Sequence, residues 1–98
     1  MAGVLEVHKA RIDPANADAI LELRPRLIEA VRRAVPGFVG ATLVRVDERT
    51  WLDVIEWESA EAAAAAPEIE MALPESRELM ALIAEVLSTD AGEIADRR

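Results

Sequence analysis

The stretch that decides the fold runs from Trp51 to Ser59 and reads WLDVIEWES. Its β-branched and aromatic residues are typical of a strand, whereas Ser59 is a residue type that begins helices by accepting a hydrogen bond from a free backbone N–H. The stretch therefore predicts a strand over 51–57 that leads directly into a helix. The chain before it and after it follows one plan, strand then helix then strand, which makes this strand the natural centre of a sheet.

Upstream, the sequence predicts a strand followed by one long helix. Val4 to Ile12 alternates in the manner of a strand. Asp13-Pro14 begins the helix, because Asp can cap free N–H groups and Pro needs no N–H at the first helical position. Apolar residues at helical spacing continue the helix to Val35. Pro25 is expected to kink this helix near 21–24 rather than to divide it.

A β-hairpin is predicted next. It joins a strand over 38–46 to the central strand through a short polar turn at 47–50. Strict alternation divides the first of these strands into two faces, with Phe38, Val44 and Val46 opposite Val39, Ala41 and Leu43. Both faces are thus largely apolar, whereas an antiparallel sheet with one face in water alternates more clearly. Because helices in so short a chain cover one face only, we expect the other face to pack against the sheet of a second copy.

Downstream, Ser59 begins a helix with an alanine tract, and Pro67 is expected to end it. Residues 68–73 predict a loop or a distorted turn. Pro74 begins a further helix, in which apolar residues at helical spacing continue as far as Leu87. A short fourth strand is expected around 93–95. The resulting order, βαββαβ, predicts an α+β fold of the ferredoxin-like type with an antiparallel sheet, in one domain over residues 1–98.

Composition and charge exclude several classes of function. The net charge of −8 argues against nucleic-acid binding, because no basic cluster is present that could neutralise successive phosphates. The chain has no cysteine and one histidine, so thiolate sites are excluded and no metal is expected. Phosphate-binding loops and the short motifs of hydrolases are absent. No apolar run approaches the roughly 20 residues of a membrane span and no signal-peptide pattern is present, so we expect a cytoplasmic protein without a membrane partner.

Three short stretches add a family resemblance: Pro36-Gly37-Phe38 after the long helix, the strand 41–45 with the sequence ATLVR, and Trp57-Glu58-Ser59 where strand meets helix. With them the chain, over residues 4–95, resembles the antibiotic biosynthesis monooxygenase type of dimeric α/β barrel. The resemblance implies that two ferredoxin-like protomers pack their sheets face to face, and that each keeps a small pocket between its own sheet and helices. Members of this superfamily include cofactor-free oxygenases acting on quinols and anthrones, haem-degrading enzymes and isomerases.

Three residues are candidates for catalysis in that pocket: His8, Trp57 and Arg24. His8 can exchange a proton near neutral pH, and the family's first strand often carries a polar side chain at this point; the alternative is a partly buried histidine bonded to backbone. Trp57 can form an apolar pocket wall with one N–H donor, or pack where strand meets helix. Arg24 can turn its guanidinium towards an enolate or phenolate, or lie in solvent. Trp51, beside a turn, is expected at the surface or at a dimer edge.

Three acidic residues, Glu6, Asp53 and Glu56, interrupt the apolar strands. Two carboxyl groups on neighbouring strands could act as an acid and a base, provided that their environments separate their proton affinities. The alternative is a position at the edge of the sheet or an ion pair with Lys9 or Arg45. The sequence leaves both interpretations open.

The resemblance, together with these candidate residues, implies a homodimeric, cofactor-independent monooxygenase that acts on a small hydrophobic aromatic of the quinol or anthrone type. No cofactor is expected. Two alternatives stay open, a non-catalytic dimer that binds a small ligand in the same pocket and a structural dimer whose pocket is filled. A haem-binding or haem-degrading relative is less favoured, because the family's haem enzymes use a histidine from the later helical region and residues 59–87 contain none.

Overall fold

The computed structural model describes residues 3–98, which form a four-stranded antiparallel sheet and three α-helices. The elements are β1 (Val4–Ile12), α1 (Ala17–Ala34), β2 (Phe38–Arg45), β3 (Thr50–Trp57), α2 (Ala60–Met71), α3 (Pro74–Leu82) and β4 (Ile83–Glu93). The strand order is β2-β3-β1-β4, so β1 and β3 lie in the middle of the sheet. The predicted ferredoxin-like α+β fold and the central position of the 51–57 strand are confirmed.

The predicted cap begins α2, whereas the cap predicted for the first helix precedes it by a short turn. Asp13 Oδ1 accepts a hydrogen bond of 2.9 Å from Ala15 N, but it caps a short 3₁₀ turn over Pro14–Asn16, and α1 itself begins only at Ala17. α1 then passes through Pro25 as one helix, as expected. Ser59 Oγ accepts a hydrogen bond of 3.1 Å from Ala62 N and caps α2. The side chains of Asp13 and Ser59 therefore mark the points at which the chain turns from a strand into helical structure.

The register of β1 places its polar residues beside those of β3 and β4. His8 lies opposite Asp53 on one side and opposite Thr89 on the other, and Glu6 lies opposite Ile55. Paired residues in neighbouring strands point to the same face of a sheet. These residues therefore project together towards the helices.

The alternation predicted for β2 is wrong at its start. The register with β3 shifts between Phe38 and Gly40, where one extra residue is accommodated as a bulge. A bulge reverses the facing of the residues before it relative to those after it. Phe38 therefore lies on the same helix-facing side as Ala41 and Leu43, and all three line one cavity.

Pro67 does not end α2, contrary to the prediction, because the helix continues to Met71. Proline removes one backbone hydrogen bond from a helix interior. Packing offsets that loss: Ala66, directly before it, is buried in the main core, and Ile69, two residues after it, packs against the same core. The extra turn carries Glu70 over the sheet.

The boundary between α3 and β4 also differs from the prediction. α3 ends at Leu82, and the residues expected to extend it, 83–87, begin an 11-residue strand paired with β1. Their apolar spacing suits a strand as well, because register shifts next to Ala10 and Ile12 let Ile83 and Val86 face the same side. The short strand expected near 93–95 is therefore the end of a much longer one.

The helix-facing side of the sheet holds the core. Ile20, Leu23, Leu27 and Val31 form the buried stripe of α1. Three of these residues pack with Trp57 in the larger of two core clusters, and Ile20 packs with Ile12 and Trp51 in the smaller. α1 is joined to β2 by a turn at Gly37, whose φ of +83° suits glycine. Within residues 3–98, no helix is long and apolar enough to cross a membrane.

The opposite side of the sheet is apolar and incompletely covered. By the strand register, Val7, Val54 and Leu52 lie at its centre, and all three are half-buried. Leu5 and Val44, on the same side, are exposed. This second apolar face is the feature from which the sequence predicts a dimer.

Candidate functional site

A cavity of about 260 Å³ lies between the inner face of the sheet and the helices. Its wall is mostly aliphatic and includes Ile20, Leu27, Leu43, Ile55, Leu79 and Ile83. Ligand pockets generally begin at about 300 Å³. This cavity is slightly smaller but open to solvent, so a ligand is not confined to the enclosed volume.

Three exposed apolar side chains form the rim of the cavity. Met71 at the end of α2, Met80 in α3 and Val86 in β4 all line it and are 61%, 50% and 47% exposed, respectively. We refer to Met71, Met80 and Val86 as the rim. Because methionine is flexible, the rim can adjust to planar apolar molecules.

All three predicted site residues, His8, Trp57 and Arg24, line this cavity. They come from β1, β3 and α1, which are distant in sequence but meet on the helix-facing side of the sheet. The cavity also contains three carboxyl groups, from Glu6, Asp53 and Glu70. It is therefore an apolar site with a small number of convergent polar groups, the usual composition of a ligand-binding pocket.

Glu6 connects Trp57 to His8. Trp57 Nε1 donates a hydrogen bond of 2.5 Å to Glu6 Oε1, and His8 Nε2 lies 3.7 Å from the same oxygen. The other ring nitrogen, His8 Nδ1, lies 3.1 Å from Thr89 Oγ1, in a hydrogen bond whose direction depends on the tautomer. His8 is thus held by side chains of two strands and not by backbone groups. A fixed imidazole beside a carboxylate can accept a proton, because the carboxylate stabilises the resulting positive charge.

Arg24 forms a bidentate ion pair with Asp53 in the cavity wall. Its two terminal nitrogens each donate a hydrogen bond of 2.7 Å to a different oxygen of Asp53. The two side chains are only 14% and 22% exposed. Arg24 therefore does not lie in solvent, and its charge is largely compensated where it meets the cavity. The ion-pair partner of Asp53 is therefore Arg24 of α1, and not Lys9 or Arg45.

The other acidic residue of the strands, Glu56, is not part of the cavity. It lies opposite Leu5, on the other face of the sheet, and pairs with Arg97 near the chain end. Of the three acidic residues in the strands, only Glu6 and Asp53 therefore remain candidates for an acid–base pair. These two approach from neighbouring strands, each with its own hydrogen-bond donor.

Glu70 is a cavity residue that the sequence interpretation missed, because it lies in the stretch predicted as loop. Burial raises the pKa of the Glu70 carboxyl, the nearby Glu6 and Asp53 carboxylates raise it further, and His8 opposes the change. One signal could have identified it. Glu70 is four residues after the buried Ala66, so a continuous helix places both side chains on one face.

Trp51 is buried and not at the surface, contrary to the prediction. It is 3% exposed and packs with Ile12 and Ile20, while the guanidinium of Arg45 lies 4.9 Å from its ring centre. Its Nε1 is buried without a hydrogen-bond partner among the described residues. Within residues 3–98, no group of three or more metal-ligating side chains is arranged to hold a metal ion.

Comparisons with solved structures agree with this architecture. SnoaB, a cofactor-independent oxygenase from Streptomyces nogalater solved as its N63A mutant, is 23% identical with a TM-score of 0.67, covering 98% of this chain and 94% of that one. A Bordetella bronchiseptica protein provisionally described as an antibiotic biosynthesis monooxygenase is 16% identical with a TM-score of 0.80, covering 97% and 99%. A protein of unknown function from Nitrosomonas europaea is 12% identical with a TM-score of 0.74, covering 100% and 94%. At these identities the likeness shows the fold.

The family follows from the sequence itself. No protein with a curated description matches the chain. The family model for antibiotic biosynthesis monooxygenase, however, matches residues 4–67. This range runs from the first strand through the hairpin into α2 and includes His8, Arg24, Asp53 and Trp57. The chain therefore belongs to the antibiotic biosynthesis monooxygenase family.

Proposed function

We propose that the protein is a homodimeric, cofactor-independent monooxygenase acting on a small hydrophobic aromatic of the quinol or anthrone type. The observation that carries the proposal is the position of His8, held between Glu6 and Thr89 at the wall of an apolar, open cavity. Membership of the family and the likeness to a cofactor-independent oxygenase support it. A cytoplasmic location stays a prediction of the sequence.

The chemistry requires a proton acceptor and a dry site. His8 takes a proton from an acidic C–H or O–H of the substrate, and Glu6 stabilises the imidazolium that forms. The electron pair left on the substrate then reduces dioxygen. For an anthrone, the CH₂ group becomes a carbonyl, one oxygen atom enters the product and the other leaves as water with the two hydrogens. The apolar wall excludes water from the anion and holds the planar ring.

Trp57 and Arg24 have different parts in this proposal. Trp57 is fully buried in the cavity wall, where it supports the apolar lining and, through its N–H, fixes the Glu6 carboxylate beside His8. Arg24 was predicted to stabilise the substrate anion, but two of its N–H groups already bind Asp53. We therefore assign Arg24 chiefly to positioning Asp53 in the wall of the cavity.

A His8→Ala variant tests the proposal through oxygen uptake with anthrone as substrate. We expect the wild type to accelerate uptake and the variant to be slower by about a hundredfold, the usual effect of losing a positioned general base. Arg33→Ala, at an exposed position of α1 that does not line the cavity, is the control and should keep the wild-type rate. Wild-type uptake no faster than buffer, or equal rates in His8→Ala and wild type, would contradict the proposal.

A non-catalytic ligand-binding dimer is the second candidate, favoured by the aliphatic wall and the exposed rim. Anthrone that binds without accelerated oxygen uptake would select this function. The open cavity argues against the third alternative, a structural dimer with a filled pocket. The haem alternative has no support in the helices, because the only histidine of the chain lies on β1.

The homodimer is proposed to form through the second apolar face of the sheet. We expect sedimentation equilibrium at micromolar concentration to give about twice the 10.7 kDa of one chain. Val54→Lys puts a charge at the centre of this face and should shift the mass towards the monomer. Leu21→Lys is the control, since Leu21 is an exposed apolar residue of α1 away from the sheet. A single-chain mass for the wild type would refute the dimer.

A further inference from the structure

Glu70 is a cavity carboxyl to which the proposed reaction gives no role. It lies in the last turn of α2, lines the same cavity as His8 and is half-buried. Within residues 3–98, its side chain takes part in no hydrogen bond or ion pair. A half-buried polar group without a partner is costly unless something else satisfies it.

The other potential donors at the cavity are already engaged or out of reach. Arg24, the only lysine or arginine that lines the cavity in residues 3–98, donates to both oxygens of Asp53. Trp57 Nε1 donates to Glu6. Trp51 Nε1 and Ser76 Oγ, both in residues that line the cavity, have no partner among the described residues but are buried beyond the reach of solvent. A substrate oxygen in the cavity therefore finds few free donors.

The charged groups around Glu70 determine which protonation state of its carboxyl is favoured. The neighbouring charged groups are Glu6 and His8 of β1, Asp53 of β3, Arg24 of α1 and Arg77 of α3, whose guanidinium donates to the Met71 carbonyl. Burial and the two carboxylates raise the pKa of Glu70, against the effect of His8. Glu6 and Asp53 each accept hydrogen bonds from cationic or N–H donors, whereas Glu70 accepts none. Of the three carboxyl groups, Glu70 is the one whose surroundings favour the neutral acid, which can donate a hydrogen bond.

We propose that Glu70, as a neutral carboxylic acid, donates a hydrogen bond to the carbonyl oxygen of the substrate on which negative charge collects when His8 removes the proton. This inference rests on the proposed function and narrows its substrate class. The substrate carries a ketone oxygen at some distance from its acidic C–H, as an anthrone does. Aromatics that carry a carboxylate are disfavoured, because Glu6 and Asp53 already place negative charge at the cavity.

The proposed step is an enolisation with a base and an acid at the two ends of the molecule. The C–H bond breaks and its proton goes to a ring nitrogen of His8. The electron pair passes through the ring to the carbonyl oxygen, which holds the hydrogen bond from Glu70 more strongly as an anion than as a ketone. A donor that binds the developing charge more strongly than the ground state lowers the barrier. No oxidant takes part until this anion meets dioxygen.

Binding of anthrone without oxygen separates this inference from turnover. Trp51 and Trp57 are the only tryptophans and both line the cavity, so anaerobic quenching of their fluorescence reports binding. The titration covers about pH 4 to about pH 9, which spans ordinary and raised carboxyl pKa values. Below its raised pKa Glu70 is neutral and donates, and above it Glu70 is ionised and cannot. The affinity of the wild type should therefore fall by about tenfold as the pH rises through that value.

Three variants complete the test. Glu70→Gln keeps an N–H donor that does not titrate, so it should bind anthrone with wild-type low-pH affinity and lose the fall at high pH. Glu70→Ala should bind about tenfold more weakly at low pH. Glu68→Gln changes an exposed carboxyl of the same helix and should behave like the wild type.

The outcomes distinguish this inference from the proposed function. Identical pH profiles in wild type and Glu70→Gln, or an unchanged affinity in Glu70→Ala, would overturn the role of Glu70. In either case, oxygen uptake that depends on His8 would leave the oxygenase proposal standing. If the wild type does not bind anthrone at any pH, both are overturned. Loss of the high-pH fall in Glu70→Gln alone supports the inference.

Discussion

Replacing Trp57 by alanine is expected to lower the free energy of unfolding by about 3–5 kcal/mol, the range for removing a large buried aromatic side chain. Trp57 is 0% exposed and packs in the main core cluster with Leu23 and Leu27 of α1 and Ala66 of α2. It also meets the ring of Phe38 edge to face at 5.7 Å. Truncation leaves a void that three elements share. Urea unfolding followed by circular dichroism measures the loss.

Two milder variants separate packing from hydrogen bonding. Trp57→Phe and Trp51→Phe remove about the same volume from buried positions, but Trp57 Nε1 donates to Glu6 whereas Trp51 Nε1 has no partner among the described residues. Trp57→Phe should therefore be the more destabilising by about 1.5–3 kcal/mol, the value of a hydrogen bond to a charged group. Equal losses in the two variants would mean that the indole–carboxylate contact contributes nothing to stability.

Replacing Arg24 by methionine is expected to cost about 2–4 kcal/mol, because it leaves the Asp53 carboxylate largely buried without its partner. Methionine keeps the length and the apolar surface of the arginine stem, so the change acts mainly on charge. The unpartnered Asp53 would also face the carboxyls of Glu6 and Glu70 across the same cavity. The same urea titration at neutral pH reports the effect.

An exposed ion pair of the same helix provides the control. Arg33 and Glu29 lie 3.3 Å apart one turn from each other, and both are mostly in solvent. Arg33→Met should cost no more than about 0.5 kcal/mol, because exposed helical pairs contribute little. A double variant, Arg24→Met with Asp53→Leu, should recover much of the loss, since no buried charge is left unpaired. If Arg24→Met costs no more than Arg33→Met, the pair in the cavity wall is not a stabilising contact.

The parts of the fold that the sequence predicts correctly depend on local signals. Ser59 caps α2 with its own side chain, and β3 combines strand-forming residues with a turn on one side and a cap on the other. Such signals act within a few residues and can be read without knowledge of the partner strands. His8, Trp57 and Arg24 were found because each is a chemically distinctive residue in an apolar element, although their roles stay predictions.

The parts that the sequence interpretation missed depend on contacts between distant residues. Pro67 is tolerated within α2 because Ala66 and Ile69 pack against the main core. The residues 83–87 form a strand because β1 offers them a hydrogen-bonded edge. The bulge near Gly40 changes which side chains face the cavity without a clear local signal. Glu70 was missed because the helix was predicted to end at Pro67. A helix that ends there gives no defined position for the Glu70 side chain.

Substitutions at the rim can change the range of substrates without destabilising the fold. Trp57 lines the cavity and also belongs to the main core, so a substitution at Trp57 changes the cavity and weakens the protein at the same time. Met71, Met80 and Val86 are about half exposed or more, so substitutions there cost less stability than substitutions in the core. Descendants of this chain could therefore acquire new aromatic substrates through substitutions at the entrance while their folding remained almost unchanged. The rim is therefore the part of the cavity at which selection can change substrate preference with the smallest loss of stability.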